Sequence, residues 1–125
     1  MDDIAGPLRV MTWNIRVGIE AVGGLRALGG AIRDVAPDVV ALQEVGRAWV
    51  MGPPGDQASV LAAESGLAHH HFFPALTTDP GIALRDLPRA LRSAVGAPAG
   101  APCYGIALLA AHPLVRPWSM PLTRD

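Results

Sequence analysis

The sequence has one cysteine, no lysine and no apolar run long enough to cross a membrane. A single cysteine, Cys103, cannot form a disulfide within the chain, so we expect a buried and inert thiol. The hydrophobic residues lie in short runs separated by 14 glycines and 12 prolines, whereas a membrane helix needs roughly 18 consecutive apolar residues. All ten basic residues are arginine, and the net charge of −1 gives no bulk attraction to nucleic acid or to anionic membranes.

The sequence does contain enough apolar material for one folded domain. Half of its 125 residues are hydrophobic, which excludes intrinsic disorder on compositional grounds and allows a real core. The chain starts with acidic residues where an export signal would carry positive charge. We therefore expect a soluble, cytoplasmic protein.

The apolar spacing predicts a strand, a helix and a second strand at the start of the chain. Residues 8–15 form a nearly continuous apolar run, which is typical of a strand covered on both faces. From Leu25 the spacing becomes that of one helix face, and Pro37 ends this helix. Residues 39–42 are apolar again. This order predicts a βαβ unit with parallel strands, followed by a loop over residues 45–55.

The rest of the chain predicts one more helix and further strands. Asp56 is expected to cap a helix that runs to Ser65. Residues 69–73 and 104–110 have the composition of strands, and residues 117–122 are expected to pair with the second of these.

Residues 77–102 are expected to be an irregular insertion that contains one helical pattern. The pattern has apolar residues on one side and arginines on the other: Leu84, Leu87, Leu91 and Val95, and Arg85, Arg89 and Arg92. A basic helix face can contact phosphates, but we interpret this row as a solvated surface.

Asn14 and Glu44 end the first two predicted strands. In α/β sheets, ligands bind beyond the carboxyl ends of the strands. A carboxylate suits a hard divalent cation such as Mg²⁺, and an amide can donate to a phosphate oxygen. Together they suit metal-assisted phosphoester hydrolysis. The alternative is that Asn14 forms a turn and Glu44 meets water, and spacing alone favours this alternative.

Three segments resemble, in order and spacing, the first half of the endonuclease/exonuclease/phosphatase family. They are Thr-Trp-Asn-Ile at 12–15, Pro-Asp-Val-Val-Ala-Leu-Gln-Glu-Val at 37–45 and Tyr-Gly-Ile-Ala-Leu-Leu-Ala-Ala-His-Pro-Leu at 104–114. The resemblance implies that residues 1–125 are the N-terminal half of such a domain. The implied fold is α/β (α+β): half of a four-layer α-β-β-α sandwich, with one mixed sheet and flanking helices.

The resemblance also implies a chemistry. Members of this family are metal-dependent phosphoesterases, and Glu44 matches their metal-binding glutamate while Asn14 matches the asparagine that helps orient metal and phosphate. The implied cofactor is Mg²⁺, with Mn²⁺ as a substitute. The implied substrate is a phosphate ester, and nucleic acid, phospholipid head group and inositol phosphate all stay open. Ile106 and Ala110 replace polar residues of the family pattern, so the strand that begins at Tyr104 is expected to be structural.

The resemblance leaves part of the family pattern unmatched. The second half of the family domain supplies a histidine, a Gly-Asp-x-Asn motif and an Asp-His pair, and none of these matches this sequence. We therefore expect the chain alone to be inactive or incomplete and to need a complementary second half or self-association. One alternative is a non-catalytic remnant or assembly module, and another is an unrelated α/β binding domain.

The remaining candidates have simpler structural interpretations. His69, His70 and His71 resemble a metal-binding tract, but neighbouring side chains of a strand point to opposite faces and cannot converge. The tryptophans are interpreted as core or rim packing: Trp13, Trp49 and Trp118.

Overall fold

A computed structural model describes residues 6–120 of the chain. Its strands are β1 (Val10–Asn14), β2 (Val39–Arg47), β3 (His69–Thr77), β4 (Arg92–Ser93) and β5 (Cys103–Ala110). Its helices are α1 (Gly24–Val35), α2 (Gln57–Ser65) and α3 (Leu87–Ala90), with short 3₁₀ helices at Arg16–Gly18 and Leu84–Asp86.

The five strands form one mixed sheet in the order β1-β2-β5-β3-β4. Strands β1 and β2 are parallel and are joined through α1, which confirms the predicted βαβ unit. The other neighbours are antiparallel. The fold is therefore the predicted α/β type, with one mixed sheet and flanking helices.

Helices α1 and α2 cover one face of the sheet. Alternate residues of the central strands point to this face, and they pack with Ile32 of α1 and Leu61 of α2, both fully buried. A Cβ atom at Gly29 would collide with Glu64, so this glycine lets the two helices approach closely. This packing outweighs the cost of a glycine inside a helix, about 1 kcal/mol relative to alanine.

The second helix begins and ends where its capping residues predict. The Asp56 side chain accepts a hydrogen bond from the Ser59 amide at 3.2 Å, which satisfies one of the free N–H groups of the first turn. Gly66 ends the helix with a φ of 77°, which favours glycine.

Strands β2 and β3 are longer than the apolar runs predict. β2 continues to Arg47 because it stays paired with β5 through Arg47 and Cys103, so the prediction of a loop from residue 45 is wrong. β3 extends to Thr77, where it pairs with both β5 and β4. Pairing across the sheet therefore extends strands beyond their hydrophobic segments.

The helical pattern of residues 84–95 does not form one helix. Only the 3₁₀ turn and α3 are helical, and Leu91 leaves the helical region with a ψ of 133°. The chain then pairs Arg92 and Ser93 with β3, and Val95 is 74% exposed. The predicted helix is wrong because strand pairing competes with its last turns.

The prediction of a strand over residues 117–122 is also wrong for the residues that the structure describes. Residues 117–120 lie outside any strand, and residues 121 and 122 lie outside the described residues. Within residues 6–120, no helix combines the length and the apolar character that a membrane crossing requires.

The sheet face opposite the helices is partly exposed. Ile106 of β5 is 48% exposed and Val10 of β1 is 65% exposed, although both are large apolar residues in strands. This face also borders the residues that the sequence nominates as a site.

Candidate active site

Asn14 and Glu44 lie together at one edge of the sheet. In the parallel pairing of β1 and β2, Asn14 stands beside Gln43, so Glu44 is the next residue along the neighbouring strand. Glu44 lies inside β2, three residues before the strand ends at Arg47, so the prediction that Glu44 ends its strand is wrong. The parallel register still places it beside the end of β1, which makes residues 30 positions apart neighbours.

Glu44 lies in a β-bulge. Leu42 pairs with Ala107 and Val45 pairs with Gly105, so Gln43 and Glu44 together stand opposite one residue of β5. Glu44 has a φ of 55°, in the left-handed region that costs a non-glycine residue about 1–3 kcal/mol. A bulge re-aims a side chain, and here it directs the carboxylate toward the neighbouring strand β5.

Tyr104 holds the Glu44 carboxylate. Its hydroxyl donates a hydrogen bond to Glu44 Oε1 at 2.6 Å, the short distance typical of a bond to an ionised acceptor. The Tyr104 ring packs against Trp49, with ring centroids 5.5 Å apart. The expectation that the Tyr104 strand is only structural missed this contact. The sequence shows a tyrosine at this position, but its hydrogen bond to Glu44 depends on the strand register and the bulge, which the sequence does not show.

The surroundings of Glu44 favour its ionised form. The hydrogen bond from Tyr104 is the main cause that lowers the pKa of Glu44, followed by the side chain of Asn14 and the positive charge of Arg16, while partial burial opposes them. Burial and the same hydrogen bond raise the pKa of Tyr104 well above its ordinary value. At neutral pH, a protonated tyrosine therefore donates to an ionised carboxylate.

Asn14 is oriented by the turn that follows it. Its Oδ1 accepts a hydrogen bond from the Arg16 amide at 3.0 Å, an Asx-type turn. Arg16 and Val17 both have positive φ values, 49° and 46°, in the 3₁₀ helix Arg16–Gly18. Because Oδ1 accepts from the backbone, the amide nitrogen of Asn14 is the group that can donate, either to the Glu44 carboxylate or to an anionic ligand.

The residues fit a hydrated hard cation better than a fully caged metal. Tyr104 occupies one oxygen of Glu44, which leaves the other oxygen for a ligand, and Mg²⁺ commonly takes one or two protein carboxylates and keeps several waters. Within residues 6–120, no group of three or more histidine, cysteine, aspartate or glutamate side chains could hold a metal ion. Glu44 is therefore the carboxylate of this site that could contact such a cation.

The other candidate residues do not join this edge. His69, His70 and His71 lie in β3 and alternate between its faces, as predicted, and His71 packs edge-on against Phe73 with centroids 4.5 Å apart. Arg92 pairs with Asp79 at 2.8 Å on the surface.

The arginine row and the tryptophans have separate surroundings. Arg85, Arg89 and Arg92 are exposed, in agreement with a solvated surface. Trp49 is buried and Trp13 is half-buried, whereas Trp118 is exposed and does not pack in the core.

A family model and two solved structures are similar to this chain. Residues 11–124 match the model of the Endonuclease/Exonuclease/phosphatase family. The crystal structure of an endonuclease/exonuclease/phosphatase from Beutenbergia cavernae DSM 12333 is 32% identical, with a TM-score of 0.56 over 86% of this chain and 27% of that chain. An endonuclease/exonuclease/phosphatase family protein from Leptotrichia buccalis C-1013-b is 16% identical, with a TM-score of 0.49 over 85% of this chain and 38% of that chain.

These comparisons also show how much of each relative is matched. The chain spans 27% and 38% of the lengths of the two solved structures. No curated protein matches the chain. Because the family model covers nearly all of the sequence, the chain belongs to the Endonuclease/Exonuclease/phosphatase family, a superfamily of phosphoesterase and nuclease type.

Proposed function

We propose that this chain provides part of the active site of a metal-dependent phosphoesterase. In this proposal Glu44 holds Mg²⁺, or Mn²⁺ in its place, and Asn14 contacts the scissile phosphate. The observation that carries the proposal is the 2.6 Å hydrogen bond from Tyr104 to Glu44, because it keeps a strained, bulged carboxylate ionised and oriented. Strain of this kind, held in place by neighbouring contacts, is characteristic of functional sites.

Each side chain has a role that follows from its contacts. Tyr104 fixes one oxygen of Glu44, and the second oxygen stays available to the cation. The Arg16 amide holds Asn14 Oδ1, which leaves Nδ2 to donate to a phosphate oxygen. A divalent metal at Glu44 would supply Lewis acidity and a water of lowered pKa for attack on phosphorus.

The proposed substrate is a phosphodiester or phosphomonoester. Nucleic acid, phospholipid head groups and inositol phosphates share this chemistry, and all three stay within the proposal. Robust catalysis is proposed to need a complementary second half or a second copy of the chain, because residues 6–120 contain no cluster of three or more histidine, cysteine, aspartate or glutamate side chains that could hold a metal ion.

The metal role is testable by Mn²⁺ titration of the ¹⁵N-labelled chain. Bound Mn²⁺ should broaden the amide signals of Ile15 and Val45, and Glu44→Gln should weaken this effect at least tenfold. Asp34→Asn, which removes an exposed carboxylate on α1, is the matched control and should leave the titration unchanged. Equal broadening in wild type and Glu44→Gln would refute the metal role of Glu44.

Catalysis is tested separately with a generic phosphodiester and Mg²⁺. We expect little or no turnover by the chain alone. Robust turnover that Glu44→Ala abolishes would support the phosphoesterase and overturn the expectation that a complementary half is required.

A second candidate function is a non-catalytic assembly module. It is favoured by the exposed apolar side chains on the sheet face opposite α1 and α2, among them Ile106 and Val10. Binding of Mn²⁺ at Glu44 would count against this function, because an assembly module has no need for a metal-binding carboxylate.

A further inference from the structure

Gln57 is a fully buried polar side chain that contacts the segments of the candidate site. It is the first residue of α2 and has no exposed surface. A glutamine amide has two N–H donors and a carbonyl acceptor, and burial makes each of them costly to leave without a partner. The polar contacts of Gln57 therefore show what the side chain does.

All three groups of the amide bind backbone atoms of other segments. Nε2 donates to the Val17 carbonyl at 2.8 Å and to the Pro53 carbonyl at 3.0 Å. Oε1 accepts from the Gly46 amide at 2.9 Å. One side chain thus joins the turn after β1, the loop before α2 and the second half of β2.

Two of these segments carry the candidate site residues. Val17 lies in the 3₁₀ helix whose first amide holds Asn14, and Gly46 follows the bulged Glu44 by two positions. In the parallel sheet, hydrogen bonds between β1 and β2 end at the Ile15 amide and the Gln43 carbonyl. Beyond that point, Gln57 connects the turn after Asn14 to the strand after Glu44.

The backbone around Gln57 is closely packed. A Cβ atom at Gly52 would collide with the Val17 carbonyl, and one at Gly46 would lie 2.8 Å from the Cβ of Trp49. The loop, the turn and β2 are therefore in direct contact at the point where Gln57 joins them.

We propose that Gln57 is a positioning residue that sets the placement of Asn14 relative to Glu44. It touches neither the proposed metal nor the phosphate, and acts through Val17 and Gly46. This proposal rests on the proposed function for the reason why the placement of Asn14 and Glu44 matters. The hydrogen bonds of Gln57 do not depend on that function.

The test compares Gln57→Met with a matched control in the full chain. Methionine has a similar length and no amide, so it removes all three hydrogen bonds while it fills the space. Ser65→Ala is the control, because Ser65 is also buried on α2 and its hydroxyl binds only the Ala62 carbonyl of the same helix. Both variants lose buried hydrogen bonding, but Ser65→Ala leaves the turn and β2 untouched.

Two readouts separate positioning from general stability. In ¹⁵N and aromatic NMR spectra, Gln57→Met should displace the Arg16 amide and the Tyr104 ring signals, and Ser65→Ala should leave both at their wild-type positions. Gln57→Met should also weaken Mn²⁺ binding at least tenfold. Wild-type signals of Arg16 and Tyr104 in a folded Gln57→Met chain would overturn the proposal.

The NMR signals of Arg16 and Tyr104 are recorded without metal, so they test the role of Gln57 independently of the proposed function. If the wild type does not bind Mn²⁺, the proposed function fails, and the NMR signals still decide the role of Gln57. If Gln57→Met does not fold, the role of Gln57 is tested by amide hydrogen exchange of the wild-type chain. The amides of Gly18 and Gly46 should then open with the same free energy, and clearly different opening free energies would overturn the proposal.

Discussion

At the scale of single residues, the contact between Glu44 and Tyr104 is the main feature of the candidate site. A glutamate at a strand end is common, and its position alone gives no reason to assign it a function. The bulge, the positive φ and the 2.6 Å hydrogen bond distinguish Glu44 from an ordinary strand-end carboxylate. Asn14 was predictable as its neighbour from the parallel strands, whereas Tyr104 was not, because its partner is 60 positions away.

We predict that Tyr104→Phe raises the pKa of Glu44 toward its ordinary value. The substitution removes the main group that favours the ionised carboxylate and keeps the ring that packs on Trp49. Loss of one half-exposed hydrogen bond should also cost about 1 kcal/mol of unfolding free energy. NMR titration of the Glu44 carboxyl and urea denaturation measure the two effects, and an unchanged pKa would contradict the assigned contact.

We also predict an acid-dependent contribution of Glu44 to stability. Its pKa is lower in the folded chain than in the unfolded chain, so its stabilising effect is present above the unfolded pKa and is lost as pH falls through the folded pKa. The stability difference between wild type and Glu44→Gln should therefore exist at neutral pH and shrink on acidification. Denaturation at several pH values measures this, and Asp34→Asn serves as the control.

At the scale of elements, local sequence patterns determine the bounds of the helices, and pairing across the sheet determines the lengths of the strands. The bounds of α1 and α2 follow from apolar spacing and capping, which are local properties. The lengths of β2 and β3 and the break after Leu91 depend on strand partners far along the chain. Local spacing therefore identified the helices of the core better than it identified the ends of the strands.

Two adjacent glycines of α1 allow a direct test of helix packing. Alanine at Gly29 would collide with Glu64 of α2, so we expect a loss of about 1–3 kcal/mol of unfolding free energy. Alanine at Gly30 meets nothing within 4 Å and should stabilise the helix by up to about 1 kcal/mol. Urea denaturation of both variants measures the difference, and equal effects would show that α1 and α2 do not pack as described.

At the scale of the whole molecule, one face of the sheet is covered by helices and the other is partly open. Exposed apolar strand residues favour association with other surfaces. The chain also spans only 27% of the length of the Beutenbergia structure that it matches. The interpretation of residues 1–125 as an N-terminal half stays a prediction, and the open face is where a complementary surface would bind.

We predict that the chain self-associates through this open face. Ile106→Glu places a charge in the middle of the face and should shift sedimentation profiles toward the monomer. Val22→Glu is the control, because Val22 is 96% exposed in the loop before α1 and outside the sheet. A wild-type chain that sediments as a monodisperse monomer and melts cooperatively would refute the prediction.

By itself, the sequence determined the βαβ opening, the capped helix α2 and the family, and it predicted Asn14 and Glu44 as a candidate site. Periodicity, capping and short motifs are properties of neighbouring residues, so they can be read without knowledge of the folded chain. Only the tertiary structure decided the bulge at Glu44, the hydrogen bond from Tyr104 and the contacts of Gln57. These features depend on strand register and on contacts between distant segments, which residue spacing along the chain does not encode.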